Sequence, residues 1–173
     1  MSFVLSLLLA SASFSAQDVP APEPSCAAIR PPLPIGFESW STRVALEAGA
    51  ATRHAPVIAV GRAAELRLVP LDRLAPAAPP TRDLGAGTNA GMALFQVTRP
   101  GTYRIALGAR AWIEVVRGGR ALPSAAHSHG PACSGIRKIV DYRLATGRYV
   151  LQLTGAATAT LPVLIAPAPQ GAA

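Results

Sequence analysis

The strongest constraint on this chain is a rhythm. Short apolar segments with a period of two recur along it, each closed by turn-forming residues. Arg43–Glu47, Glu65–Leu68, Gly101–Leu107, Ile136–Leu144 and Gly147–Leu153 alternate in this way. Met92–Val97 is apolar on both faces, as strands buried on two sides are, and Ala111–Val116 and Ala159–Ile165 complete the set. Residues two apart on a strand share a face, so this pattern builds pleated sheet and disfavours helix. With 15 Gly and 17 Pro in 173 residues, long uninterrupted helices are also disfavoured, and no capped amphipathic stretch of three turns is present. Gly118-Gly119 directly after one apolar run is a two-residue hairpin signal. The pattern predicts an all-β chain: an antiparallel β-sandwich, Ig-like or jelly-roll-like, of eight to nine short strands.

Four regions follow from composition. Residues 1–16 (MSFVLSLLLASASFSA) read as a signal peptide. The apolar stretch Phe3–Ala10 is far shorter than the roughly 20 residues of a spanning helix. Small residues between 12 and 16 then suit cleavage. Residues 17–36 form a Pro-rich arm, 37–166 the sandwich, and 167–173 a disordered tail. Within the domain, the Pro/Gly/Ala-rich stretch 70–91 reads as a long surface loop. Export makes the protein periplasmic or secreted, with no membrane span in its mature form.

In an oxidising compartment the two cysteines, Cys26 and Cys133, most simply form one disulfide. Closing so long a loop would stabilise the fold by about 4–5 kcal/mol. The competing reading leaves Cys133 free, as a metal ligand or nucleophile.

The net charge of +7 invites a nucleic-acid reading. Against it, 15 of the 16 basic residues are arginines, and they are scattered singly. The sole adjacent pair is Arg137-Lys138. Aromatic residues make up 5% of the chain, too few for a base-stacking platform. Nucleic acid is therefore an unfavoured partner. A cationic surface resting on an envelope glycan, an anionic envelope component or another protein is favoured, with Trp40, Arg137 and Lys138 as ligand-binding candidates.

Chemistry concentrates in AAHSHGPACSGIRK (125–138). His127 and His129 would share one face of a strand, and a loop returning through Cys133 would complete a His-x-His-x3-Cys set, with His54 as a fourth ligand. Such a set suits a transition metal: Zn, Cu or Fe. Solvent-facing histidines and a disulfide-bonded Cys133 account for the same residues without metal. Nucleophile-elbow, zincin, phosphate-loop and dinucleotide fingerprints are all missing from the sequence. No cofactor is expected, and an enzyme is disfavoured. Glu114 and Asp141 fall inside strands, where alternation turns them outward for cross-strand pairing with arginine. Trp112 reads as core, and Trp40 as the anchor between arm and first strand. The segments GTYRIAL (101–107) and GRYVLQL (147–153) share Gly-x-Tyr at a strand start, where a tyrosine hydroxyl can reach back to backbone at the corner.

PLPIGFESW (32–40), GTYRIALGARAWIEVVRGGRAL (101–122), HSHGPACSGIRKIVDYRL (127–144) and GRYVLQL (147–153) together resemble a group of small exported bacterial β-proteins. The group's function is not established, and its members often carry the label homogentisate 1,2-dioxygenase. That label implies a cupin-type Fe(II) site of two histidines and a glutamate. His127-Ser128-His129 mimics the cupin His-x-His, but no Glu follows Glu114 and no His follows His129. The expectation is therefore a non-enzymatic exported binding or structural module of the cell envelope. The alternative is a metal-binding protein, or the oxygenase that the label names.

Overall fold

A computed structural model describes Cys26, residues 29–82, Gly85 and residues 87–169. The stretch 1–16, expected as a signal peptide, lies outside the described residues, as do most of the expected arm and residues 170–173. Eleven strands form two sheets. They are β1 Val44–Glu47, β2 Ala64–Arg67, β3 Val69–Pro70, β4 Asn89–Val97, β5 Gly101–Leu107, β6 Trp112–Arg117, β7 Arg120–Ala121, β8 Ala126–Ser128, β9 Lys138–Leu144, β10 Gly147–Ala156 and β11 Thr160–Pro167. One sheet runs β1-β2-β11-β5-β9-β8 and the other β3-β4-β10-β6-β7. Only β1 and β2 pair in parallel; every other neighbouring pair is antiparallel. The chain is an all-β sandwich. β4 pairs with β10 while β5 pairs with β9 in the opposite sheet, a nested winding of the jelly-roll kind.

All eight segments expected from periodicity are strands. The three additional ones, β3, β7 and β8, are two or three residues long, too short to carry a period. Gly118 and Gly119 both take positive φ (58° and 74°), as a hairpin turn linking β6 to β7 requires.

Alternation fills the space between the sheets. Ala93, Phe95 and Val97 of β4, Ile113 and Val115 of β6, and Tyr149, Leu151 and Leu153 of β10 point inward. They meet Ile105, Leu107, Val140, Tyr142, Leu161 and Val163 of the facing sheet. Burying each large side chain contributes about 1.5–3 kcal/mol. The rings of Phe95 and Tyr149 stack with centroids 5.5 Å apart. The Gly-x-Tyr echo has a shared structural cause. The Tyr103 hydroxyl donates to the Arg99 carbonyl at 2.9 Å and the Tyr149 hydroxyl to the Ala145 carbonyl at 2.8 Å, each four residues back.

Each sheet also carries a cover on its outer face. On the six-stranded sheet, residues leading into β1 lie over Ala106, Ile139, Leu164 and Ala166 and bury Phe37 and Trp40 against them. The Cys26–Cys133 disulfide (S–S 2.10 Å, Cα–Cα 5.1 Å) ties this cover to the β8–β9 connection. Trp40 reinforces the tie: its indole N–H donates to the Ser134 carbonyl at 3.1 Å.

On the five-stranded sheet the cover is a strap, residues 74–82, where sequence suggested a plain surface loop. Gln152 of β10 grips it. Its Oε1 accepts from the amides of Ala77 (2.7 Å) and Ala78 (3.3 Å), and its Nε2 donates to the Ala78 carbonyl at 3.0 Å. Glu114 of β6 completes the clasp. One carboxylate oxygen accepts from the Thr81 amide (2.7 Å) and hydroxyl (2.8 Å), the other from Gln152 Nε2 (2.6 Å). Glu114 does point away from the central core, but it is only 3% exposed, because the strap covers it. The expected pairing with arginine is thus corrected to hydrogen bonding with uncharged donors. A buried carboxylate needs several donors to offset its lost hydration, and the strap and Gln152 supply three.

Candidate functional site

The sandwich opens where β5 crosses over to β6. Arg137 donates its amide to the Leu107 carbonyl at 2.8 Å, and Leu107 pairs with Lys138. That register sets the start of β9 beside the residues that follow β5, bringing Arg110 and Trp112 next to Arg137 and Lys138. β8 pairs His127 with Val140 and so adds the histidine wall. The strap ends above the same point with Arg82. The result is a cleft of ≈ 410 Å³ lined by Arg82, Arg110, Trp112, His127, His129, Arg137 and Lys138, among others.

Trp112 forms the centre of the cleft. The Lys138 ammonium lies 5.3 Å and the Arg82 guanidinium 5.5 Å from its ring centroid. Its indole N–H donates to the Thr81 hydroxyl at 3.1 Å, so the clasp that holds the strap also fixes this ring. Lys138 donates to the Ala111 carbonyl at 3.4 Å. Burial holds the Lys138 ammonium below the usual lysine range, and the charges of Arg82 and Arg110 push it further down. No carboxylate is among the described residues lining this cleft. The ion pairs among the described residues, Arg43–Glu65 and Arg67–Glu47, lie elsewhere. Four cationic side chains therefore converge here, with no acidic partner among the described residues of the lining.

A second hollow of ≈ 700 Å³ continues inward and shares Trp112, His127 and Lys138. At its base Tyr142 donates to the Ile113 carbonyl at 3.1 Å. Desolvation, with a further contribution from the negative charge of Glu114, pushes the Tyr142 phenol up to about 12.

The sequence-derived candidates separate cleanly. Arg137 and Lys138 lie in the cleft. Trp40 does not: it is 2% exposed, has its indole N–H committed to Ser134, and lies under Arg43 at 5.0 Å. It has no face to offer a ligand and anchors the cover instead. Trp40 is thus the anchor that the sequence suggested, whereas Trp112, read as core, is the half-buried ring in the cleft. His127 and His129 share the cleft wall, with His129 Nδ1 3.1 Å from the Arg137 carbonyl oxygen. Cys133 is spent in the disulfide and His54 lies in a separate turn, Thr52–His54. Among the described residues no three His, Cys, Asp or Glu side chains gather as a metal-ligand group. Glu114, which lines the adjoining hollow with His127, has both oxygens engaged by Thr81 and Gln152, so the described residues of the cleft do not supply the two-histidine, one-carboxylate set of an Fe(II) oxygenase.

Arg82 and Arg110 were missed in the sequence because each stands alone there. Only the β5–β9 register and the strap bring them to Trp112.

No family model matches the chain, and no curated protein proves similar to it. Among the described residues, no helix is long and apolar enough to cross a membrane.

Proposed function

We propose that this protein is an exported, non-catalytic binding module of the cell envelope, and that the cleft around Trp112 receives an anionic group of an envelope component. The observation that carries this reading is the convergence of Arg82, Arg110, Arg137 and Lys138 on one half-buried aromatic ring, with no carboxylate among the described residues of the lining. Like charges held together repel one another. A carboxylate, sulfate or phosphate entering the cleft relieves that repulsion and accepts directed bonds from the arginine forks. Export is supported by the apolar leader in the sequence and by a disulfide that suits an oxidising compartment. A binding role is favoured over catalysis because, among the described residues, no hydroxyl in the cleft is hydrogen-bonded to an imidazole as a nucleophile–base pair requires.

The test uses tryptophan fluorescence, since Trp112 is the accessible tryptophan of the two. Titration with D-galacturonate at low salt should give a saturable change that is lost in Trp112→Phe and weakened at least tenfold in Arg137→Ala/Lys138→Ala. A linear, unsaturable response in the native protein overturns the reading. N-terminal sequencing of protein recovered outside the cytosol should begin between residues 13 and 17; an intact Met1 there removes the export part. A second reading, a Zn or Cu site on His127 and His129, rests on their shared wall. Metal analysis of natively produced protein, with and without His127→Ala/His129→Ala, decides it.

A further inference from the structure

A second cationic cluster lies on the same side of the five-stranded sheet, at the far end of β6. A hollow of ≈ 540 Å³ has Leu94, Val116 and Val150 as its floor and Arg53, Arg117 and Arg148 around it. Arg117 turns to the opposite face of β6, where its guanidinium lies 5.3 Å from the Tyr149 ring centroid and donates to the Tyr149 hydroxyl at 3.1 Å, so Arg53 and Arg148 are the arginines left to meet a ligand in the hollow. Gly118 and Gly119, having no side chains, leave the rim open. No carboxylate is among the described residues lining this hollow. The strap joins the two clusters, since Ala77 borders the far hollow and Arg82 the near cleft.

β6 spans the interval between them. From Trp112 to Arg117 is five residue steps, about 17 Å at the rise of an extended strand. The screening length at physiological salt is about 8 Å, so one small anion in the cleft leaves the far cluster unneutralised. Two same-sign clusters at this spacing match a ligand that repeats its negative charge along its length.

We infer that the ligand is a linear acidic polysaccharide, with anionic groups seated at Arg82/Arg110/Arg137/Lys138 and at Arg53/Arg148 of one molecule. This inference rests on the proposed binding function and names its ligand class. A nucleic acid is disfavoured because the sites offer one half-buried ring, Trp112, and a buried Tyr149 beneath Arg117, with no row of exposed rings for bases. A lipid surface is disfavoured because the large exposed apolar side chains, Ile35, Val44 and Val57, line neither cluster.

The experiment measures affinity of the full mature chain for oligogalacturonates from monomer to octamer, with single-stranded DNA of matched charge in parallel. Once the oligomer can reach both clusters, affinity should rise by at least tenfold, since the second contact becomes intramolecular. Arg53→Ala/Arg148→Ala should abolish that step. Arg137→Ala/Lys138→Ala should weaken every length. Monomer binding without a length step overturns the two-cluster inference and leaves the binding function standing. Absence of saturable binding at every length overturns both, and a length step seen with DNA but not with oligogalacturonate overturns the glycan assignment.

Discussion

Glu114 offers the sharpest test of how the strap is held. Two effects compete at this carboxylate. Burial in a sheet face costs hydration, which favours a neutral replacement. Three donors, the Thr81 amide and hydroxyl and Gln152 Nε2, favour keeping the acceptor. Hydrogen bonds to a charged group contribute about 1.5–3 kcal/mol each, and orphaned buried donors cost about 1–3 kcal/mol, so the acceptor role should win. Glu114→Ala leaves the Thr81 amide and one N–H of Gln152 without partners, and should lower stability by about 3 kcal/mol. Glu114→Gln preserves shape and still accepts from Thr81, but sets an amide N–H₂ against that of Gln152. Rotating Gln152 to escape this would sacrifice its bonds to Ala77 and Ala78. The expected cost is about 2 kcal/mol. Urea denaturation at neutral pH, with an unchanged m-value, reads both numbers. Hydrogen exchange localises the effect: the Thr81 amide should lose protection while the β10 ladder keeps it. A Glu114→Gln variant as stable as the native protein, or more so, would refute the reasoning and show that desolvation dominates.

Three further outcomes follow from the same structure. Cys26→Ser/Cys133→Ser opens a loop of sequence separation 107, so stability should fall by about 5 kcal/mol in the chain-entropy picture; a loss under 1 kcal/mol by denaturant titration contradicts it. Tyr142 releases its proton near pH 10 when unfolded but at about 12 when folded, so the native state holds an extra proton in that window and loses about 3 kcal/mol of stability across it. Comparison of alkaline denaturation with Tyr142→Phe, which should lack this pH-dependent loss, checks the sign. Because burial and neighbouring arginines lower the Lys138 ammonium, galacturonate affinity should decline as alkalinity neutralises it. Lys138→Arg should hold its affinity further into the alkaline range, as isothermal titration at stepped pH would show.

Much of the sandwich was legible because alternation is local. The run IRKIVDYRL shows its buried Val140 and Tyr142 without reference to any other strand. The Gly-x-Tyr corners were equally readable, since each hydroxyl bond closes within four residues. The covers were not legible. Glu114 in WIEVVR looks like a solvent-facing position, and nothing near it in sequence announces that Thr81 will lie over it. Likewise Trp112, read as core, stands half-buried in the cleft, and Trp40 is closed off from any ligand, because exposure depends on what crosses each sheet, and both crossing segments are rich in Pro with no period of their own. The cleft was half readable. Arg137-Lys138 stood out as the adjacent basic pair, whereas Arg110 joins it through a register between strands some thirty residues apart and Arg82 through the strap.

The covalent tie also sets a timetable for the chain's maturation. Synthesis runs from the N-terminus, so Cys26 appears long before its partner, and eight of the eleven described strands precede the turn that carries Cys133. Sealing is therefore a late event. Until it happens, the segment bearing Phe37 and Trp40 has only noncovalent purchase on a sheet whose strands β9 and β11 have yet to be made. A thiol left waiting that long is open to capture by any other thiol it meets, and an oxidising, isomerase-supplied compartment is the setting in which such a capture can be undone.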